Sequence, residues 1–296
     1  MKSATFEYIR AGSTAEACEA LKQEGDSIKL IAGGQSLIPM MAMRLVRPAW
    51  LLDINEISAL KFITTSDDGH RNAVRIGACT RQSVVERDKA LAERVPLLRQ
   101  ALGYVGHVQT RNRGTIGGSI AHADPCAELP LAAQILGASM ILRSSSATRT
   151  VPAETFFAGP MMTATGADEC IEEVRWPVWD ERRTGSAFTE ISTRHGDFAM
   201  VSAGAQIALG DDGRCVRASF GLGGVGQTPL AFPRLAQRLV GTQLEDEAVR
   251  SAAEDAAAES DPGSDLFATA AYRRHLARVL TARVIRAACV QARSKA

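Results

Sequence analysis

The sequence predicts an α+β protein in two parts. Three features point that way. Short strand-like runs alternate with capped helices over the first half of the chain. The composition shifts near Trp176-Pro177. Beyond that point strand-like pieces come first and helices last. The 296 residues are 46% hydrophobic and 23% charged, as in an ordinary globular protein of two or three domains. With 34 basic and 33 acidic residues the formal charge is +1, which gives no electrostatic reason for a nucleic acid or a membrane surface as partner. No run approaches the ~18 apolar residues of a spanning helix. The N-terminal segment Met1-Lys2-Ser3-Ala4-Thr5-Phe6-Glu7 lacks the apolar core of a secretory signal. The expectation is therefore a cytoplasmic protein with no membrane span.

The elements follow in order. Ser13-Thr14-Ala15-Glu16 has the S-x-x-E form of a capping box. It opens a helix with Ala17, Cys18 and Leu21 on one side and a stop at Gly25. "IKLIA" (28–32) is a strand, followed at once by the pair Gly33-Gly34. "LLDI" (51–54) is another short buried strand, so the chain begins as a β-α-β-like unit. "VRIGA" (74–78) is a further strand. Ser83-Val84-Val85-Glu86 caps a helix running toward Arg94, and Pro96 starts the next, "PLLRQALGYVG". A second glycine pair lies in "TRNRGTIGGSIAHADPCAELP" (110–130). Asp124-Pro125 reads as N-cap and first helical residue of a helix that ends at Gly137 and that Pro130 kinks or splits. "SMILR" and "TVPAETFF" supply strands and a connecting turn.

After Pro177, "AFTEIS", "AMVSAGAQIAL" and "RASFGLGGV" read as strands, and two helices close the chain. The last runs from Ala271 to about Ala292, with Tyr272, Leu276, Val279, Leu280, Val284 and Ala287 at helical spacing. Arg274 and Arg278 fall opposite. Ile285 breaks the pattern by joining them, and Arg283 breaks it from within the apolar stripe.

The glycine pairs carry the chemistry. Glycine allows positive φ and close approach of backbone to a ligand, and successive N–H groups in such a bend form an anion-binding concavity. "AGGQS" alone reads equally well as a tight turn or a phosphate contact. It matches neither G-x-x-x-x-G-K-[ST] nor G-x-G-x-x-G. Thr115-Ile116-Gly117-Gly118-Ser119 repeats the theme, and Ser36, Thr115 and Ser119 are potential phosphate donors. Two such bends suit a ligand with two phosphates, most simply a dinucleotide. Arg111 and Arg113 are candidate counter-charges, with solvated loop arginines as the plainer reading. The six cysteines form no C-x-x-C pair and no Cys/His cluster, so neither an iron–sulfur cluster nor a zinc site is expected in this chain.

The blocks "AGGQSLIPMMAMRLVRPAWLLDIN" and "TRNRGTIGGSIAHADPCAELP", with "HGDFAM" at 195–200, resemble the FAD-binding medium subunit of bacterial molybdenum hydroxylases. That group includes the flavoproteins of carbon monoxide dehydrogenase and of xanthine dehydrogenase-like and N-heterocycle-hydroxylating complexes. The resemblance covers essentially the whole chain. It implies a two-subdomain FAD-binding region of the PCMH type over 1–177, split near 58. A small C-terminal domain of antiparallel sheet with helices follows over 178–292. It implies FAD held without a covalent bond by Ile31, Ala32, Gly33, Gly34, Gln35, Ser36 and Leu37 and by Thr115, Ile116, Gly117, Gly118 and Ser119. It also brings in Asp124, Glu128 (where animal relatives carry Asp) and Ile171, an aliphatic position near the flavin ring.

The resemblance further implies a division of labour. A large partner carries the molybdenum cofactor and oxidises the substrate. A small partner carries two [2Fe–2S] clusters, and electrons leave through FAD to an external acceptor, in a dimer of heterotrimers. No catalytic acid, base, nucleophile or metal ligand is assigned to this chain. Ser119 and Gln35 stand where carbon monoxide-oxidising relatives often have Asp and His, which favours an N-heterocycle or other organic substrate over carbon monoxide. The competing readings are a free-standing FAD oxidoreductase with its own substrate site and a non-redox nucleotide-binding module.

Overall fold

A computed structural model of the chain describes residues 2–67 and 72–295. The first portion contains β1 (Glu7–Arg10), α1 (Thr14–Glu24), β2 (Ile28–Ile31), α2 (Leu37–Ala42) and β3 (Trp50–Asp53). The three strands are parallel in the order β1-β3-β2, so the last in sequence lies in the middle. Parallel neighbours need crossovers, which α1 and α2 provide. β1 is absent from the expectations because "EYIR" is largely exposed and shows no apolar alternation. The Ser13 cap forms as expected, with the return bond shifted by one residue: Ser13 Oγ accepts from the Glu16 N–H at 3.1 Å. Glu16 Oε2 reaches back to the N–H of Gly12 at 2.7 Å. Ala17, Cys18 and Leu21 are buried, and Gly25 ends the helix with φ 53°.

The second portion runs through β4 (Ile63–Asp67), β5 (Asn72–Gly77), α3 (Gln82–Arg87), α4 (Lys89–Arg94), α5 (Pro96–Leu102), α6 (Val108–Arg113), α7 (Ile116–His122) and α8 (Glu128–Leu136). It continues with β6 (Ser139–Arg143), β7 (Thr148–Pro152), α9 (Ala153–Phe156), β8 (Phe157–Gly159), β9 (Met162–Thr163) and β10 (Cys170–Pro177). Its sheet is antiparallel in the order β4-β5-β10-β6-β7. Trp176, Phe156, Ile76, Leu97 and Leu129 belong to one core between this sheet and its helices. The Cys18 and Cys170 sulfurs lie 3.7 Å apart, where α1 meets β10.

Three local expectations are corrected here. Ser83 caps nothing; the helix starts at Gln82, and Asp88 interrupts it and caps α4 through Leu91 N–H at 2.9 Å. Asp124 does not start α8. Its Oδ1 accepts from Cys126 N–H at 2.8 Å in a turn, and the helix begins at Glu128. Pro130 therefore falls in the first turn, where its missing N–H interrupts no helical hydrogen bond, and neither kink nor split results. Gly137 ends the helix with φ 67°.

The last portion holds β11 (Arg183–Ile191), β12 (Val201–Leu209), β13 (Cys215–Gly223), β14 (Leu230–Ala231), α10 (Pro233–Leu239), α11 (Asp246–Glu259) and α12 (Ala270–Arg293). The sheet is antiparallel, β11-β12-β13-β14. All nine residues of β12 are buried. One face of the sheet meets α12, and the other meets α5 and α8 of the preceding portion. A strand covered on both faces loses its polar alternation, which explains "VSAGAQIAL". Pro233 opens α10, a third helix that the sequence reading lacked.

The buried face of α12 runs through Arg273, Leu276, Ala277, Leu280, Val284, Ile285, Ala288 and Cys289. Tyr272 and Ala287 point to solvent instead, Ile285 is inside, and Arg283 is outside. Arg273 sits inside because its guanidinium donates to the carbonyls of Met200 and Gly224 and pairs with Asp265 at 2.6 Å. Of the methionines near α2, only Met41 fills core, while Met43 is exposed.

Gly185 lets α12 lie directly on β11: a Cβ there would fall on the Ala288 carbonyl oxygen and 3.0 Å from the Gln291 carbonyl carbon. Both neighbours are backbone and cannot swing aside. Gly185→Ala is expected to destabilise the protein by about 2–3 kcal/mol, read as a lower urea midpoint at unchanged slope.

Candidate functional site

The chain leaves β2 at Ile31 and bends through Ala32–Ser36 into α2. Gly34 takes φ 71°, a left-handed conformation that costs other L-residues of order 1 kcal/mol. Gly33 is needed for space rather than for conformation. A Cβ on it would lie 2.5 Å from the Arg113 carbonyl oxygen and 2.8 Å from Gly114 Cα. The two glycine blocks, some eighty residues apart in sequence, thus touch backbone to backbone. Among the described residues no acceptor takes the N–H of Gly33, Gly34, Gln35 or Ser36. Four neighbouring donors are left open to a ligand. Gln35 is exposed and folds back on its own bend, its Nε2 donating to the Gly33 carbonyl at 3.1 Å.

The second block is built differently from expectation. Thr115-Ile116-Gly117-Gly118-Ser119 is not an open bend but the N-cap and first turn of α7. Ile116 N–H donates to Thr80 O at 3.1 Å and Gly117 N–H to Ala78 O at 2.9 Å. Gly118 N–H donates to Thr115 Oγ1 at 3.1 Å and Ser119 N–H to Thr115 O at 3.2 Å. These amides are committed within the fold because capping a helix consumes its first donors. Gly117 is required because a Cβ would lie 2.5 Å from the Cβ of Ala78. Thr115 is 2% exposed. Gly118 and Ser119 are half-buried, so the hydroxyl of Ser119 is the accessible donor of this block.

A cavity of about 360 Å³ opens beside the first bend. Ile31 through Gln35 line it, with Ile38 and Pro39 of α2 and with Asp53, Asn55 and Arg113. Arg113 alone of the two candidate arginines faces it. Arg111 pairs with Glu86 at 2.8 Å and donates to the carbonyls of Val105 and Gly106, which makes it a structural residue. Asp53 caps a turn: Oδ1 accepts from Asn55 N–H at 2.7 Å and Oδ2 from Tyr8 OH at 2.5 Å. Burial pushes the Asp53 carboxyl upward, but the hydrogen bonds from Tyr8 and Asn55 outweigh it and hold the group below its usual range.

The remaining expected residues lie beyond the second block. Leu37 is half-buried at the start of α2. Asp124 holds its turn, and Glu128 is the first residue of α8. Ile171, 6% exposed, packs in the core of the second sheet. Glu190 of β11 has a buried Oε2 with no hydrogen-bond partner among the described residues. The His107 and His195 rings stand edge to face, 6.2 Å apart, at the loop where Gly196 takes φ 89°. Sequence reasoning missed Asn55 and Arg81, which join the two blocks. The only signal for Asn55 is an amide residue two positions after the Asp that ends β3; Arg81 gives none.

Residues 4–179 match the family described as the FAD binding domain in molybdopterin dehydrogenase, and residues 186–288 the CO dehydrogenase flavoprotein C-terminal domain. The chain is 35% identical over 293 residues to the alpha subunit of the 6-hydroxypseudooxynicotine dehydrogenase complex of Paenarthrobacter nicotinovorans, covering 99% of this chain and 97% of the relative. Among solved structures it superposes with a TM-score of 0.94 and 34% identity on carbon monoxide dehydrogenase from Hydrogenophaga pseudoflava lacking the Mo-pyranopterin moiety, over 98% of this chain and 99% of the other. Quinoline 2-oxidoreductase from Pseudomonas putida 86 gives 0.91 and 36% over 99% of both chains. Two matched regions in this order, and relatives alike over nearly their whole length, lead to one statement: the chain belongs to the family of FAD-binding flavoprotein subunits of molybdopterin-dependent dehydrogenases.

Proposed function

We propose that the chain is the FAD-carrying electron-transfer subunit of a heteromeric molybdenum hydroxylase. In this reading a large partner oxidises an organic substrate at a molybdenum cofactor. A small partner's two [2Fe–2S] clusters pass electrons to FAD, and an external acceptor removes them. The complex is a dimer of heterotrimers in the cytoplasm, a reducing compartment that suits six unpaired thiols. No helix among the described residues is long and apolar enough to cross a membrane. Gln35 and Ser119, which depart from the carbon monoxide-oxidising pattern, support an organic substrate. We place the domain division at 1–177 and 178–292, with the first part split near 58. Its support is that β10 closes the second sheet at Pro177 and β11 opens the third at Arg183.

One observation carries the reading: four unengaged N–H groups, Gly33 to Ser36, beside a cavity and against the second glycine block. Backbone donors grouped in this way suit a diphosphate, and the glycines leave the room it needs. The N–H groups of residues 33–36 would hold the diphosphate, with the hydroxyls of Ser36 and Ser119 and the Arg113 guanidinium as further partners. Thr115, Ile116, Gly117 and Gly118 shape the opposite wall. Ile31 and Ala32 offer apolar surface within the cavity, with Leu37 next to them at the start of α2 and Ile171 behind in the core of the second sheet. Asp124 and Glu128 stand beyond the second block. FAD supplies the redox chemistry when bound; the chain supplies position and electrostatics.

A complex isolated through a tag on this chain is expected to contain two further polypeptides, molybdenum, iron and one FAD per tagged chain. Metal analysis and the visible flavin spectrum check this. Flavin without molybdenum and iron would instead favour a free-standing oxidoreductase.

Gly33→Ala forces the first bend away from Arg113 and Gly114. The variant is expected to bind FAD at least 10-fold more weakly, a loss of about 1.4 kcal/mol, measured by titrating FAD into deflavinated protein.

Glu128 and Glu190 give a pH dependence. Burial pushes the Glu128 carboxyl up to about 7, with the Asp124 charge adding to it and the backbone and Arg111 opposing. Burial, with the Glu128 charge, pushes Glu190 up to about 8. Both bind protons more tightly folded than unfolded, where a Glu titrates near ~4.3. Their contribution to stability is therefore full below about pH 4 and is lost as pH rises through about 7 to 8. Urea midpoints of the deflavinated protein are expected to fall from pH 5.5 to 8. The Glu128→Gln/Glu190→Gln variant should flatten that fall by on the order of 1 kcal/mol.

A further inference from the structure

The floor of the cleft contains a chain of polar side chains that runs from one glycine block to the other. Asn55 lies just past β3. Its Nδ2 donates to the carbonyl oxygen of Ala32, the first residue of the first bend, at 2.6 Å, and also to Asp53 Oδ1 at 2.7 Å. Its own N–H donates to the same Asp53 oxygen at 2.7 Å, so the Asn55 side chain is fixed from two directions. The third polar group of Asn55, Oδ1, accepts from Arg81 Nη2 at 2.7 Å. The other arm of the Arg81 fork, Nη1, donates to the carbonyl oxygen of Arg113, the residue that a Cβ on Gly33 would strike. Arg81 is itself held beside the second block by a β-bridge to Thr115. Asp53 is anchored in turn by Tyr8 of β1.

We infer that Asn55 and Arg81 form a clasp, Ala32–Asn55–Arg81–Arg113, which fixes the spacing of the two glycine blocks and so sets how tightly the cleft holds its dinucleotide. The inference deepens the FAD-binding reading above and depends on it. Asn55 and Arg81 are positioning residues. The clasp engages two carbonyls, Ala32 O and Arg113 O, one from each block, beside the unengaged N–H groups of residues 33–36, and Asn55 itself also lines the cavity. Without it, the only direct tie between the blocks among the described residues would be the glycine backbone contact, which resists compression but not separation. The geometry demands particular chemistry at both positions. Asn55 must donate and accept at once, which Asp and Ala cannot do. Arg81 must bridge two acceptors in different directions, which needs a planar fork and not the single ammonium of Lys. Both atoms of the fork are committed, so Arg81 acts here through geometry, in contrast to Arg113, which lines the cavity.

The test is a double-mutant cycle read on flavin release. The complex is prepared as wild type, Asn55→Ala, Arg81→Ala and the double variant, with Asn55→Asp and Arg81→Lys as conservative partners. FAD release after dilution is followed by the rise of free-flavin fluorescence. The thermal midpoint of each deflavinated complex serves as the control for folding. Each single Ala variant is expected to release FAD roughly tenfold faster or more. The double variant should be little faster than either single one, because breaking one link already opens the clasp. Arg81→Lys should release FAD as fast as Arg81→Ala, and Asn55→Asp as fast as Asn55→Ala. The absorbance maximum and fine structure of the still-bound flavin should change in the variants while the deflavinated thermal midpoint moves little. Additive effects of the two sites, or near-complete rescue by Arg81→Lys, would overturn the clasp and make Arg81 a simple counter-charge. Wild-type release rates in the single variants would overturn it as well, leaving the FAD reading intact. A wild-type complex that holds no FAD would overturn both.

Discussion

The site depends on one contact: the backbone of Gly33 against the backbone of Gly114 and the carbonyl of Arg113. No side chain fits between them. That closeness puts a bend after β2 of the parallel sheet beside the cap of α7, which belongs to the second, antiparallel sheet. Every other feature of the cleft follows from holding these two pieces together. β3 sits at the centre of the first sheet and delivers Asp53 and Asn55 to the joint. The segment after β5 delivers Ala78 and Thr80, whose carbonyls accept from Gly117 and Ile116, and Arg81, which reaches across. Two sheets of different kind thus meet where the glycine backbones touch, beside the Asn55–Arg81 link and a buried cluster that includes Cys18, Leu52, Cys79 and Cys170.

The two walls of that seam perform different work. The first has spare donors, because residues 33–36 form neither helix nor ladder, and Gly34 alone requires a left-handed backbone. The second has none to spare between Ile116 and Ser119, since α7 and the strand-end carbonyls use them all. The unengaged backbone donors are therefore concentrated in the first bend, while the second block leaves the half-buried Ser119 hydroxyl. The third sheet stays out of the seam. It is clamped between α12 on one face and α5 and α8 on the other, and Glu190 at the end of β11 brings a carboxyl toward Glu128.

Much of this was legible in the sequence, and the failures have physical causes. The capping box at Ser13, the strands around Gly33 and the αL stop at Gly137 depend on local geometry, which local sequence encodes. The glycine pairs were visible, but their meanings differ. Gly34 answers to its φ angle, whereas Gly33 and Gly117 answer to neighbours far away in the chain, so a turn was the wrong reading of the second pair. Asp124-Pro125 looked like a helix start because an Asx turn and an N-cap use the same side-chain hydrogen bond to a nearby N–H. The stripe on α12 was misplaced by the buried Arg273, an ionic residue that only tertiary partners make tolerable inside. Asn55 and Arg81 were invisible for the same reason: their roles exist only once three separate segments have met.

The most direct measurement is a density map of the FAD-loaded complex at a resolution that places the diphosphate. The expected result has its oxygens about 2.7–3.2 Å from the N–H groups of Gly33 to Ser36, with Ser119 opposite and Gly33 still in contact with Gly114. A diphosphate seated elsewhere, or the two glycine blocks drawn apart around it, would contradict the proposal that this seam is the cofactor site.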